Sequence, residues 1–256
     1  MESSEAVTPP YLATPLQLEP FRALMLAPYR VGDAGAGRAF ARPYREVAGR
    51  LRRWEAAGRV IHDPEPAVYL HEYTSGGITV RGLVGALDMS RRATGLAERA
   101  VLPHEGIHPH RAHDLADHML EMRLNPAPIL LVHRGPEEVR TVVRGLLETE
   151  PDRRFSDRVE QRHRLWALRG DRLETVTRAL ADSRPLIADG HHRYAAYLQL
   201  QQARPGTAWD RGLAMLVDQD DTPLFLGAIH RVLRGVRLAE LGDVVARGPH
   251  LSLIHI

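Results

Sequence analysis

The sequence predicts an α+β fold, with a mixed α/β portion over residues 125–250 behind an N-terminal portion, residues 21–124, built on a helix and a β-hairpin. Three observations carry this reading. From Pro126 onward, apolar runs of strand length alternate with amphipathic helical patterns, the order expected when helices cover a sheet. Two runs rich in Val, Tyr, Thr and Ile, Ala67 to Thr74 and Ile78 to Leu87, are parted only by Ser75-Gly76-Gly77, which is a hairpin signal. Ahead of them, Arg42 to Gly58 sets Tyr44, Val47, Leu51 and Trp54 three or four residues apart, the spacing of one helical face.

Taken in order, residues 1–20 are expected to be a loose tail. Met1 to Glu19 mixes acidic, Ser and Pro residues, with neither the basic start and apolar core of a secretory signal nor the Arg-rich pattern of a transit peptide. The helix from Arg42 has Pro43 near its start and Gly58 at its stop. His110 to Arg123 reads as a helix that buries Leu115, Met119 and Met122, and Pro126 to His133 as a short apolar strand. A helix from Pro136 to about Glu148 turns Val139, Val142, Val143, Leu146 and Leu147 inward, and Pro151 lies beyond its end. Arg162 to Leu168 reads as a strand, Leu173 to Ala181 as a helix after a Gly170-Asp171 turn, and Pro185 to Ala188 as a strand. His191 to Gln202 is then a helix, and Leu213 to Val217 and Leu224 to Val232 close the pattern as strands.

Composition excludes several chemistries. Without a cysteine there are no disulfides, thiolate ligands or thiol nucleophiles, which fits a reducing compartment, and a cytoplasmic location is expected. No apolar run approaches the roughly 18 residues of a membrane span, and 44% hydrophobic with 26% charged residues is ordinary for a globular chain. All positive residues are Arg, yet the formal net charge is only +2 and no long basic run occurs, so DNA is not an expected partner. The ending Leu251 to Ile256 follows Gly248-Pro249 abruptly and reads as translated adapter sequence. The natural chain is therefore expected to continue past about Pro249.

The chemically pointed segment is Ile187-Ala188-Asp189-Gly190-His191-His192-Arg193-Tyr194. An apolar strand ends in Asp189-Gly190 and a helix starts at once. Glycine permits the sharp turn, and the first N–H groups of the helix, with the positive end of its dipole, favour an anion. Arg193 offers a planar fork for phosphate oxygens, and the two histidines offer hydrogen bonds or proton transfer near neutral pH. Asp189 would hold a divalent cation or activate a hydroxyl. The competing reading makes Asp189 a plain N-cap with a solvated first turn, although cationic residues there oppose the dipole where a structural helix would carry acids.

Ala188 to Arg193 spells Ala-Asp-Gly-His-His-Arg, and after an apolar strand this resembles the signature of the prokaryotic family called domain of unknown function 1015. Shorter pieces agree: Phe21-Arg22-Ala23, Tyr44 to Trp54 with Gly58, Asp63 to Tyr69, His104-Glu105, Asp114, His163 with Trp166, and His230-Arg231. The sequence departs from the family at Ala27-Pro28-Tyr29-Arg30, where Pro-Pro-Tyr-Asp is expected. The turn is also similar to the Gly-x-x-Arg phosphate loop of the ParB and sulfiredoxin fold group of CTP-binding segregation proteins, ATP-using sulfinate reductases and ADP-dependent free-serine kinases. That resemblance implies a ParB/sulfiredoxin-like strand-turn-helix and a nucleotide (ATP, ADP or CTP), with magnesium, or another small phosphate ligand. It does not fix the reaction. His191 stands where the sulfinate reductases carry cysteine, so sulfinate reduction is not expected.

Leu102 to His110 contains a formal His-Glu-x-x-His string, His104-Glu105-Gly106-Ile107-His108, which on a helix would set two zinc ligands beside a glutamate base. Pro103, Gly106 and Pro109 crowd it and disfavour that helix, so no zinc is expected. The candidate residues are thus Asp189, His191 and Glu105 for catalysis, with Asp189 and Glu105 as magnesium ligands. Gly190, His192, Arg193, His104, His163 and Arg231 are the candidates for holding phosphate or nucleotide. The expected function is a nucleotide- or phosphate-binding phosphotransferase or phosphohydrolase. The alternatives are a ParB-like, nucleotide-dependent binding module without significant turnover, and a truncated piece with no function of its own.

Overall fold

A computed structural model describes residues 5–26, 46–75, 77–157, 160–222 and 224. Beyond Leu224 the expected strand to Val232, with the candidate Arg231, the segment Ala27 to Arg30 and the terminal Leu251 to Ile256 lie outside the described residues. The fold is mixed α and β. Its helices are α1 (Val47–Ala56), α2 (Pro109–Met122), α3 (Glu137–Leu147), α4 (Gly170–Leu180) and α5 (His191–Ala203). An eight-stranded sheet organises them. Along it run β11 (Leu186–Asp189), β8 (Ile129–His133), β12 (Arg211–Asp218), β6 (Ile78–Asp88), β5 (Val68–Ser75), β10 (Arg162–Leu168) and β9 (Arg153–Ser156), while β2 (Leu18–Glu19) pairs with β6. Among the described strands of this sheet β8 and β12 pair in parallel and the other neighbours are antiparallel. Two smaller sheets pair β1 (Leu12–Ala13) with β7 (Arg99–Val101) and β3 (Leu24–Leu26) with β4 (Val60–His62).

The expectation of a loose tail is corrected over residues 5–20. β1 and β2 join the sheets, and Leu12, Leu16 and Leu18 are buried in the main core. Strands of two residues carry no readable period, so the prolines around them dominated the pattern. The expected boundary between residues 124 and 125 also falls inside one sheet, because β5 and β6 pair with β10 and β12.

The core forms because alternate residues of the strands face the helices. Trp166, Leu70, Val68 and Leu168 meet Val139 and Leu146 of α3 and Val176 and Leu180 of α4 in one apolar cluster. Each fully buried aliphatic side chain contributes roughly 1.5–3 kcal/mol, and Trp166 keeps its polar edge satisfied by donating from Nε1 to the Thr149 carbonyl at 3.1 Å. α2 buries Ala112, Ala116, Met119 and Met122, a stripe spaced for one helical face, and packs on α5. α5 is buried nearly all round, through Tyr194, Ala195, Ala196, Tyr197, Leu198 and Leu200. It lies directly on β12, where a Cβ at Gly212 would stand 2.5 Å from the Tyr197 ring. Only glycine allows that approach.

Candidate functional site

β11 delivers Asp189 to the sheet end, and Gly190 then turns the chain at φ 95°, ψ 28° into α5. Glycine adopts this left-handed conformation without the penalty other residues carry. The Tyr194 N–H closes the first helical bond on the Gly190 carbonyl at 2.8 Å. No side chain caps the helix and its first turn holds no acid, so the N–H groups of His191, His192 and Arg193 lack intrahelical acceptors.

The loop before α2 is laid over this turn. It is stitched to β11 where Leu102 donates to the Pro185 carbonyl at 2.9 Å and accepts from Ile187 at 3.0 Å. Ile107 anchors it in a small apolar cluster with Ala112 and Ala195. Two imidazoles complete the joint: the His104 N–H donates to His191 Nε2 at 3.3 Å, and the His108 N–H donates to His192 Nε2 at 3.1 Å. An accepting Nε2 puts the proton of each neutral ring on Nδ1. In His191 that Nδ1 stands 3.4 Å from Glu105 Oε2. The His104 ring meets the His191 ring edge-on at 4.7 Å between centroids, and His104 Nε2 lies 3.7 Å from Glu105 Oε1. Burial draws the pKa of His191 below its ordinary value, with Glu105 opposing. Burial, then Arg111 and His108, do the same for His192. Both rings are therefore neutral near pH 7, as their accepting role requires.

Arg193 lies along the turn. Its guanidinium donates to the Pro128 carbonyl and to the Asp189 carboxylate. Asp189 is 70% exposed while Arg193 is 21% exposed, so the carboxylate faces solvent and the guanidinium backs it. Two of the five N–H groups of the fork suffice for these bonds.

The structure thus brings together seven of the expected residues, Asp189, Gly190, His191, His192, Arg193, His104 and Glu105. It also changes their roles. Asp189 is not the N-cap; Gly190 is. His191 and His192, read from the sequence as donors toward an anion, spend Nε2 on the loop before α2. Arg193 is not an unoccupied clamp, since it holds Asp189. The His-Glu-x-x-His string lies in the irregular segment before α2, with His108 extended at φ −89°, ψ 115°, so it does not set two imidazoles on one helical face. Among the described residues no three His, Asp or Glu side chains gather as a metal site.

The family described as "Protein of unknown function (DUF1015)" matches residues 21–247, across both the sheet and this turn. The chain belongs to that family. No curated protein and no solved structure matches it.

In this DUF1015 chain His163 does not reach the turn. It sits on β10, five strand steps from β11, or about 24 Å at 4.8 Å per step. There it stacks on Phe155 at 4.7 Å, and its Nδ1 lies 3.0 Å from His71 Nε2. His71 escaped sequence reasoning because its partner is 92 residues away. Its place beside Tyr73 on one face of a hairpin strand was the available signal. No helix of the described residues is long and apolar enough to cross a membrane.

Proposed function

We propose that the β11–α5 turn holds a phosphate group, and that the protein is a nucleotide- or phosphate-dependent enzyme of the phosphotransferase or phosphohydrolase class. The observation that carries this is the uncapped, acid-free start of α5 at a left-handed Gly190 with a guanidinium alongside. Helix-start amides and dipole favour an anion, and the remaining N–H groups of Arg193 can meet its oxygens. Exposed Asp189 is the carboxylate placed to take a proton from an acceptor hydroxyl or water, or to share magnesium with the phosphates. His191, His192 and Glu105 act as positioning residues that fix the loop before α2. Such a site works by positioning and charge stabilisation.

One observation favours the second reading, a nucleotide-dependent binding module with little turnover: every acid or base at the resting turn already has a protein partner. Incubation of the intact chain with ATP, ADP or CTP and magnesium separates the two. The enzyme reading expects multiple turnovers of phosphate release or transfer, reduced about a hundredfold or more by Asp189→Asn. Binding without turnover favours the module, and no response to any nucleotide or phosphate compound sinks both.

A further inference from the structure

A second cluster lies at the other end of the sheet, on the same strand faces that bury the core. Cross-strand register sets Leu83, Leu70 and Trp166 side by side in one apolar rung. Two residues along, the matching rung reads Arg81, Glu72, Arg164, Arg154 across β6, β5, β10 and β9. The next reads Thr79, Thr74, Arg162, Ser156. Side chains two apart share a face, so the core gives way to a rung of guanidiniums and then a rung of hydroxyls around Arg162. These residues line an open cleft of about 560 Å³, within the range of small-molecule sites.

The charge pattern is not that of a self-sufficient sheet. Glu72, 4% exposed, is the lone carboxylate among the residues lining the cleft, and it splits its oxygens between two cations. Oε2 accepts from Arg81 Nε at 2.8 Å and Oε1 from Arg164 Nε at 2.7 Å. Arg164 also turns Nη2 to Glu72, and Arg81 Nη1 lies 4.0 Å from Asp221 Oδ2, so both guanidiniums are fixed with donors to spare. Arg154 stands directly across from Arg164, a like-charge pair that costs stability. Its own carboxylate, Glu150, lies outside the cleft lining. Exposed Arg162 has no described partner, and it is flanked by Thr74, which meets Thr79 Oγ1 at 3.0 Å, and by Ser156.

We propose that this cleft is a second anion site, which takes a small molecule bearing two or more phosphate or carboxylate groups. Fixed guanidinium forks match such oxygens in pairs, and the hydroxyl rung supplies further donors. The volume suits a metabolite and not a nucleic-acid strand.

Calorimetric titration of the intact chain with pyrophosphate and, separately, with citrate tests the proposal. At least one probe is expected to bind, and which one does separates phosphate from carboxylate chemistry. Arg162→Ala removes no described contact, so melting should be unchanged while affinity falls roughly ten- to a hundredfold. Arg162→Lys, which keeps the charge but loses the fork, should restore only part of it. Arg193→Ala, at the α5 turn, should leave this binding in place. The proposal is overturned if neither probe binds, if Arg162→Ala binds as the parent does, or if binding is lost in Arg193→Ala and kept in Arg162→Ala. The last outcome would assign the ligand to the α5 turn instead.

Discussion

His71 shows how one half-buried side chain sets a pH dependence. Burial, and then the neighbouring His163, depress its pKa from 6.5 to about 4. The unfolded chain therefore binds a proton that the folded chain refuses between pH 6.5 and 4, so stability is full above that window and falls as pH drops through it. The contribution is about 3 kcal/mol, at roughly 1.4 kcal/mol per tenfold in proton affinity. We expect His71→Gln to flatten the fall in urea midpoint between pH 7 and 4.5 relative to the parent chain. A residual slope of the same sign should persist, because His133, His191 and His192 are also depressed, each chiefly by burial. An unchanged slope in the variant would refute this assignment. At this scale the sequence was uneven. The Asp189–Arg193 pair was legible in principle from its i,i+4 spacing, whereas the partner of His163 depends on which strands pair and was not.

Among the elements, α2 ends on an exception. Arg123, exposed and bonded through its N–H to the Met119 carbonyl at 2.8 Å, takes the left-handed conformation at φ 57°, ψ 37°. Glycine is the usual residue at that place. Arg123→Gly should stabilise the protein by about 0.5–1 kcal/mol, since the relief of left-handed strain exceeds the added chain entropy. A melting temperature equal to or below the parent's would contradict it. Elements of ten or more residues and buried strands were legible, because several periodic positions agree: β10 falls at Arg162–Leu168 as expected, and α5 ends one residue beyond its expected end. Missed elements were short or polar. β1, β2, β3, β4 and β7 have two or three residues each, and β9, Arg-Arg-Phe-Ser, is an edge strand whose pattern does not announce burial.

Across the whole molecule, the sheet holds two arginine-bearing places apart, the α5 turn beside β11 and the cleft between β6 and β9. The hexapeptide at the first was readable because the backbone chemistry of a strand-turn-helix is local. The second exists only in cross-strand register, which local patterns do not encode. At the α5 turn Gly190 is the most sensitive residue: a Cβ there would strain φ 95° and stand 3.1 Å from Arg193 and Ile129. The most direct measurement is calorimetric titration of ATP, ADP and CTP, each with magnesium, into the parent chain and into Gly190→Ala, with melting recorded for both. The variant should stay folded, losing about 1–3 kcal/mol of stability, while nucleotide affinity drops at least tenfold. Equal affinity in the two chains, or no binding by the parent, would contradict it.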